Sequence, residues 1–434
     1  MSGIRVCDAE LLKIGLTLPG FVERSKTIAS LPSLGLLTLA GMTPGSHEVE
    51  YIEMPDLPPG DGRAGDFDLI AISSYSAQID EAYELARRYR DTGTPVVIGG
   101  PHVTVLPDEG LQFCDAVVIG EGESSWLELL RDAENSTLKK TYGSRSEDFD
   151  LAESPIPAFE LLDISRYNRL TVQTSRGCPH QCEFCASSVI LTDRYKQKPV
   201  AKVVEEIDRI LTIWDSPFIE FADDNSCVNH SYWKELLSRL KGKGIRWFTE
   251  TDLSVAEDVE LLALMKETGC VQVLIGLESP VEAGLQGLEQ GTDWKLKKFP
   301  QYRKAIRTIQ SQGITVNGCF VIGLDGHTAD IADQVFDFVE ETDLYEVQVT
   351  ILTAFPGTPL YSRLRREDRI LEPGNWKKCT LFDINFRPAN MSVKELHDLF
   401  RKLALELYSE EFTNRRRRAF RDDLRNQRRT GVSS

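Results

Sequence analysis

Two successive series of short apolar, β-rich runs separated by helix-period segments constrain this chain more than any other feature, because strands alternating with helices fold as parallel sheets with crossover helices. The first series has runs at 69–72, 96–98 and 116–119, with a helical pattern at 79–90. Each run ends in small or flexible residues, Ser73-Ser74, Gly99-Gly100 and Gly120-Glu121-Gly122, at the carboxyl ends where open α/β sheets take ligands. Glycines that merely turn the chain account for them equally well. A polar, Pro-containing stretch at 141–167 reads as a linker. The second series has strand candidates at 170–173, 218–222, 245–249, 271–275, 316–322 and 346–352, separated by helical stretches such as 200–213, 255–268 and 301–312. The fold class is therefore α/β. A Rossmann-like parallel-sheet domain over 1–140 precedes a partial (β/α)6 barrel over 168–365 and a helical C-terminal region over 366–434.

With 41% hydrophobic and 27% charged residues, the chain has the proportions of an ordinary globular protein with a sizeable core. No apolar run approaches the roughly 20 residues that span a bilayer. The first 20 residues carry charges and lack a signal-type apolar core, so a cytoplasmic location is expected. Nine cysteines, an odd number in a long chain, do not resemble a disulfide scaffold. The net charge is −17, yet residues 415–429 hold eight arginines against Asp422 and Asp423. An acidic body thus carries a basic tail. That balance argues against nucleic acid and suits a cationic partner, although solubility alone accounts for it more simply. The tail reads as the solvated end of a helix.

Chemistry is concentrated in Arg176-Gly177-Cys178-Pro179-His180-Gln181-Cys182-Glu183-Phe184-Cys185, directly after the first strand of the second series. Three thiolates in so short a loop can wrap one compact iron–sulfur cluster. Three ligands on a four-iron cluster leave one iron open, the condition for engaging a substrate or cofactor. A structural zinc would need a fourth ligand, and His180 sits too close to its neighbours for easy tetrahedral closure. The CxxxCxΦC spacing, with Phe184 as the aromatic residue, resembles the signature of the radical S-adenosylmethionine (SAM) superfamily. The resemblance implies a [4Fe-4S] cluster on Cys178, Cys182 and Cys185 whose open iron chelates SAM. It also implies reductive cleavage of SAM to methionine and a 5′-deoxyadenosyl radical that abstracts hydrogen from the substrate.

Further segments resemble the same family in order. Phe221-Ala222-Asp223-Asp224-Asn225 matches the segment that contacts the SAM amino group, where Asp223 and Asp224 can accept from an ammonium. Leu274-Ile275-Gly276-Leu277-Glu278-Ser279 is similar to the segment near the SAM ribose and methionine. There Gly276 lets a ligand approach the backbone and Glu278 can accept from hydroxyls, with Ser279 beside it. Gly323 and the run Phe355-Pro356-Gly357-Thr358-Pro359 look like late-barrel segments of these enzymes. Glu250 and Asp252, two apart at the end of the third strand, are expected to share one face and to meet substrate or SAM. Surface solvation explains them equally. Cys227 is a candidate thiol donor, although a free cysteine is more often simply buried.

The α/β domain ahead of the barrel resembles the cobalamin-binding branch of the superfamily, at Gly99-Gly100-Pro101-His102 and Val118-Ile119-Gly120-Glu121-Gly122-Glu123. Its D-x-H-x-x-G cobalt-ligand motif is absent. The nearest string, Asp325-Gly326-His327-Thr328, lies in the other domain. A domain that keeps the fold without the vitamin is therefore favoured, since fold does not carry function by itself. Cobalamin held through Ser73, Ser74, Gly99 and Gly100 without a protein ligand is the alternative. The expected activity is hydrogen abstraction from a small polar metabolite, with an external electron donor or partner reductase. The architecture resembles the diol-dehydratase that deoxygenates paromamine in apramycin biosynthesis, which implies dehydration or deoxygenation of a cationic sugar in antibiotic biosynthesis. The alternatives are a cobalamin-dependent methyltransferase and a non-enzymatic protein with a structural metal.

Overall fold

In a computed structural model, residues 6–13, 31–54, 57, 66–186 and 194–430 are described. Most of the amino-terminal stretch examined for a signal lies outside them. The first unit is built on four parallel strands in the order β1 (Ile70–Ser73), β2 (Val96–Gly99), β3 (Ala116–Val118) and β4 (Thr141–Tyr142). The fourth strand falls at the start of the stretch read as a linker. Alternation along β2 sends Val96 and Ile98 into one apolar cluster and Val97 into another, so the sheet is covered on both faces, as parallel sheets require.

A two-stranded antiparallel neck follows, β6 (Ser175–Arg176) against β7 (Lys196–Gln197), and it closes the loop that carries the three cysteines. The second unit is a six-stranded parallel sheet in sequential order. Its strands are β5 (Leu170–Val172), β8 (Phe218–Ser226), β9 (Arg246–Thr251), β10 (Cys270–Glu278), β11 (Thr315–Ile322) and β12 (Glu346–Ile351). Helices such as Val200–Leu211, His230–Leu240 and Tyr302–Ser311 link successive strands. They bury Val203, Ile207 and Ile210, or Trp233, Leu236 and Leu237, against one face of the sheet. Phe221 of β8 is the hub there, meeting Trp233 and Trp247 edge to face at 5.2 and 5.3 Å.

The other face carries the polar alternates. Along β8, half-buried Glu220, Ala222 and Asp224 alternate with buried Ile219, Phe221 and Asp223. The C-terminal region is helical, with Val393–Leu407 opened by a Ser392/Glu395 capping box and followed by Glu410–Thr430. Its arginines are not all solvated. Arg416 is 1% exposed and donates to the carbonyls of Leu344, Tyr345 and Leu407, while Arg417 pairs with Glu346. Among the described residues no helix is long and apolar enough to cross a membrane.

Candidate functional site

The three-cysteine loop is fixed from several sides. Gly177 stands at φ 79°, and a Cβ there would meet the Arg194 carbonyl at 2.4 Å, so only glycine turns the chain into Cys178. Its N–H donates to Asp224 Oδ2 at 2.8 Å. Cys182 pairs with Glu289 in an isolated bridge, and Glu183 N–H donates to the Leu288 carbonyl at 2.9 Å. Arg363 then ties Glu183 to Asp325. Cys182 is buried, whereas Cys178 and Cys185 are half-exposed. Burial pushes the Cys178 thiol up to about 11, opposed by the His180 N–H, the Lys295 charge and the Asn225 side chain. The Cys182 thiol is raised further, again by burial. Iron offsets such a cost by taking the thiolate form.

His180 is not poised as a further ligand. Its Nε2 meets Asp252 Oδ2 at 3.1 Å, and its ring lies tilted against that of Trp294 at 4.5 Å. Among the described residues no three His, Cys, Asp or Glu side chains are placed to grip one metal ion. A mononuclear zinc needs its ligands within about 2.0–2.3 Å of the ion. The donor set, three thiols from one loop with the adjacent histidine turned away, fits a cluster with an open iron better. Phe184 packs on the edge of the main core.

The two aspartates of β8 diverge. Asp223 is 4% exposed and faces inward, where Oδ1 accepts from the N–H groups of Thr174 and Ser175 at 2.7 and 2.9 Å. Its Oδ2 accepts from the Thr174 and Ser226 hydroxyls. It anchors the β5 exit and has no oxygen left for a ligand. Asp224, one residue on, lies on the polar face.

Glu250 and Asp252 do not share a face as expected, because β9 ends at Thr251 and the alternation ends with it. Asp252 caps the next turn and accepts from Ser254 N–H at 2.8 Å and Asn225 Nδ2 at 2.9 Å. Burial opposes its ionisation, but these bonds and His180 hold its carboxyl well below the usual range. Glu250 instead stands on the polar face of the sheet, within reach of solvent. Enclosure and the charges of Glu220, Asp224 and Glu278 raise it to about 7. Cys227, expected as a thiol donor, is fully buried in the core with its thiol raised by burial, so it cannot reach a substrate.

In β10, Gly276 stands against two charged side chains. A Cβ there would meet Glu278 Oε1 at 2.4 Å and Lys295 Nζ at 3.1 Å, so the missing side chain leaves room for an ion pair. Lys295 Nζ donates to Glu278 Oε1 at 2.7 Å and to the Gly276 carbonyl at 2.8 Å. Although burial opposes its charge, Glu278 holds the ammonium well above its ordinary pKa. The pair also holds Glu278 at φ 60°, a conformation that costs energy outside glycine. Ser279 is fully buried, its hydroxyl 2.9 Å from His327 Nε2 and 3.1 Å from the Val281 carbonyl. Because His327 Nδ1 accepts from Gly323 N–H at 3.3 Å, Nε2 carries the proton towards Ser279. Neither Lys295 nor His327 stood out as a site residue in the sequence; their partners lie 17 and 48 residues away. Cys319 is half-buried on the polar face of β11.

In the first unit, Ser73, Gly99, Gly100 and Gly120 are half-buried at the strand ends, while Ser74 is buried. Tyr75 is 65% exposed beside them. Burial raises its phenol pKa, with a smaller contribution from the Glu220 charge. His102 is 1% exposed, between Ser76 Oγ at 3.0 Å and Glu109 Oε1 at 3.1 Å, and His47 pairs with Glu134. Neither histidine is offered to a metal at the strand ends. Small half-buried residues and one open aromatic at these strand ends fit a broad planar group.

Residues 172–339 match the model of the Radical SAM superfamily, residues 26–130 that of the B12 binding domain, and residues 358–434 a domain of unknown function. An uncharacterised methyltransferase of Synechocystis is 30% identical over 82% of this chain and 67% of its own length. The hopanoid C-2 methylase of Rhodopseudomonas palustris is 29% identical over 80% of this chain and 67% of its own length. The fold is similar to that of the radical SAM methyltransferase TsrM from Kitasatospora setae with cobalamin and a [4Fe-4S] cluster bound. The TM-score is 0.68 at 15% identity, over 89% of this chain and 87% of TsrM. These findings overturn the expected dehydration and its link to antibiotic biosynthesis, since the relatives are methyltransferases. The B12-domain match likewise removes the ground for preferring a unit without the vitamin. The missing D-x-H-x-x-G string bears on one way of ligating cobalt and not on whether a B12-binding domain is present.

Proposed function

The chain belongs to the radical SAM superfamily, in the group whose amino-terminal unit is a B12-binding domain, and from that membership we propose that it is a cobalamin-dependent methyltransferase acting on a small-molecule acceptor. The observation that carries the reading is the span of the methyltransferase relatives, which at 82% and 80% of the chain must run through both units.

In this reading Cys178, Cys182 and Cys185 hold the cluster and leave one iron open to SAM. The strand ends at Ser73, Gly99 and Gly100, with Tyr75, cradle cobalamin. Bound there, the cluster would provide the electron for SAM cleavage and cobalamin would provide a methyl carrier. An external electron donor completes the requirement. The chain's own residues do the placing. Asp223 fixes the β5 exit, and Asp224 holds the Gly177 N–H and with it the start of the loop. The Glu278 carboxylate, aimed by Lys295, accepts from SAM hydroxyl or ammonium groups. Glu250, near 7, holds or releases a proton at neutral pH.

Anaerobic reconstitution tests the reading. Protein loaded with iron, sulfide and hydroxocobalamin is expected to retain stoichiometric corrinoid and to release 5′-deoxyadenosine from SAM under reduction. The Cys178→Ala/Cys182→Ala/Cys185→Ala variant is expected to lose iron and that release while keeping corrinoid. A native protein that retains no corrinoid would overturn the methyltransferase assignment.

A further inference from the structure

The neck of the three-cysteine loop is charged on both stems, and both charges end on the first unit. Arg176, the residue before Gly177, donates through Nη1 to Glu121 Oε1 at 2.6 Å and through Nη2 to Glu123. Its Nε is held by Gln173 Oε1 at 2.7 Å. Lys196, paired with Arg176 across the neck, donates to the other Glu121 oxygen at 2.6 Å, to Asp148 at 2.9 Å and to the Phe149 carbonyl at 2.8 Å. Glu121 and Glu123 are 7% and 8% exposed. Although burial opposes ionisation, Arg176 holds the Glu123 carboxyl below its usual range. These acids stand just past β3, at the carboxyl end of the first sheet.

Buried charges cost desolvation, and an apolar contact of the same volume would join two units at least as strongly. A forked guanidinium engaging two carboxylates provides direction as well as adhesion, since it tolerates little rotation or sliding. The entry and exit of the loop are thus registered against one glutamate of the other unit. We infer that Arg176 and Lys196, clamped on Glu121 and Glu123, are positioning residues that fix the cluster loop relative to the strand ends of the B12-binding unit, and so set the placement of one cofactor against the other. The purpose given to the clamp rests on the methyltransferase reading; its geometry does not.

The test uses the full chain with its cluster reconstituted. A nitroxide is attached at Leu127, an exposed position on the first unit's helix Trp126–Glu134, through an encoded ketone amino acid. Its distance distribution to the reduced, paramagnetic cluster is read by pulsed EPR. With native residues one narrow distribution is expected. Arg176→Gln and Glu123→Gln, each retaining iron and sulfide, are expected to broaden it about twofold, because a neutral group cannot hold the fork. Arg176→Lys, which keeps the charge without the fork, is expected to fall between. Widths equal to the native one in both Gln variants overturn the clamp. Should Arg176→Gln fail to fold, Lys196→Gln at the outer edge of the network gives the same reading. Corrinoid is assayed in the same samples. Its absence from the native protein sinks the methyltransferase reading while the distance result still decides the clamp.

Discussion

Glu250 shows how far a residue's role depends on what faces it. Its carboxyl titrates near 7, so the folded protein holds that proton to higher pH than the unfolded chain does. Stability is then lost as pH rises from about 4.5 to about 7. Glu250→Gln is expected to raise the melting temperature relative to native at pH 8 and to leave it nearly unchanged at pH 5; equal differences at both values would refute the placement. The cysteines were legible in the sequence because their sulfurs are neighbours along the chain. Lys295, His327 and Arg176 were not legible as site residues, because Arg176, for one, meets Glu121 and Glu123 across 55 and 53 residues. Asp223 and Asp224 read as a pair, and only the pleat separates the anchor from the group on the open face.

Elements show the same division. The positions of the six barrel-series strands were visible as apolar runs, but their ends were not. β8 and β10 run on through Asp223-Asp224-Asn225 and through Glu278, residues that pattern reading treats as strand exits. The turn after β10 is braced by a neutral His327 whose pKa is lowered to about 4, chiefly by burial. The unfolded imidazole binds a proton below about 6.5 and the folded one does not, so stability rises with pH between about 4 and 6.5, by about 3 kcal/mol at most. Ser279→Ala leaves the buried Nε2–H without its acceptor and is expected to cost about 1–3 kcal/mol in chemical denaturation at pH 7.5. A change below about 0.5 kcal/mol would show that the brace carries no weight.

Over the whole molecule, the C-terminal region closes back on the first unit. Trp376 belongs to that unit's core, donates to Glu109 Oε2 at 3.2 Å and meets the His102 ring at 5.4 Å. Trp376→Ala is expected to cost about 3–5 kcal/mol in urea denaturation. A loss confined to below about 1 kcal/mol would mean that the contact is peripheral. The tail's arginines extend the lesson: Arg416 lies under the sheet edge and not in solvent, because the carbonyls of Leu344 and Tyr345 need a donor there. By itself the sequence determined the two strand–helix series, the order of the units and the three-thiol loop, since each is written in contiguous residues whose periodicity or spacing has one physical reading. Only the tertiary structure decided which carboxylates anchor the fold and which stand on the sheet's polar face, that Cys227 is core, and that the cluster loop is clamped to the neighbouring unit. Those outcomes turn on burial and on partners distant in sequence, which no local pattern encodes.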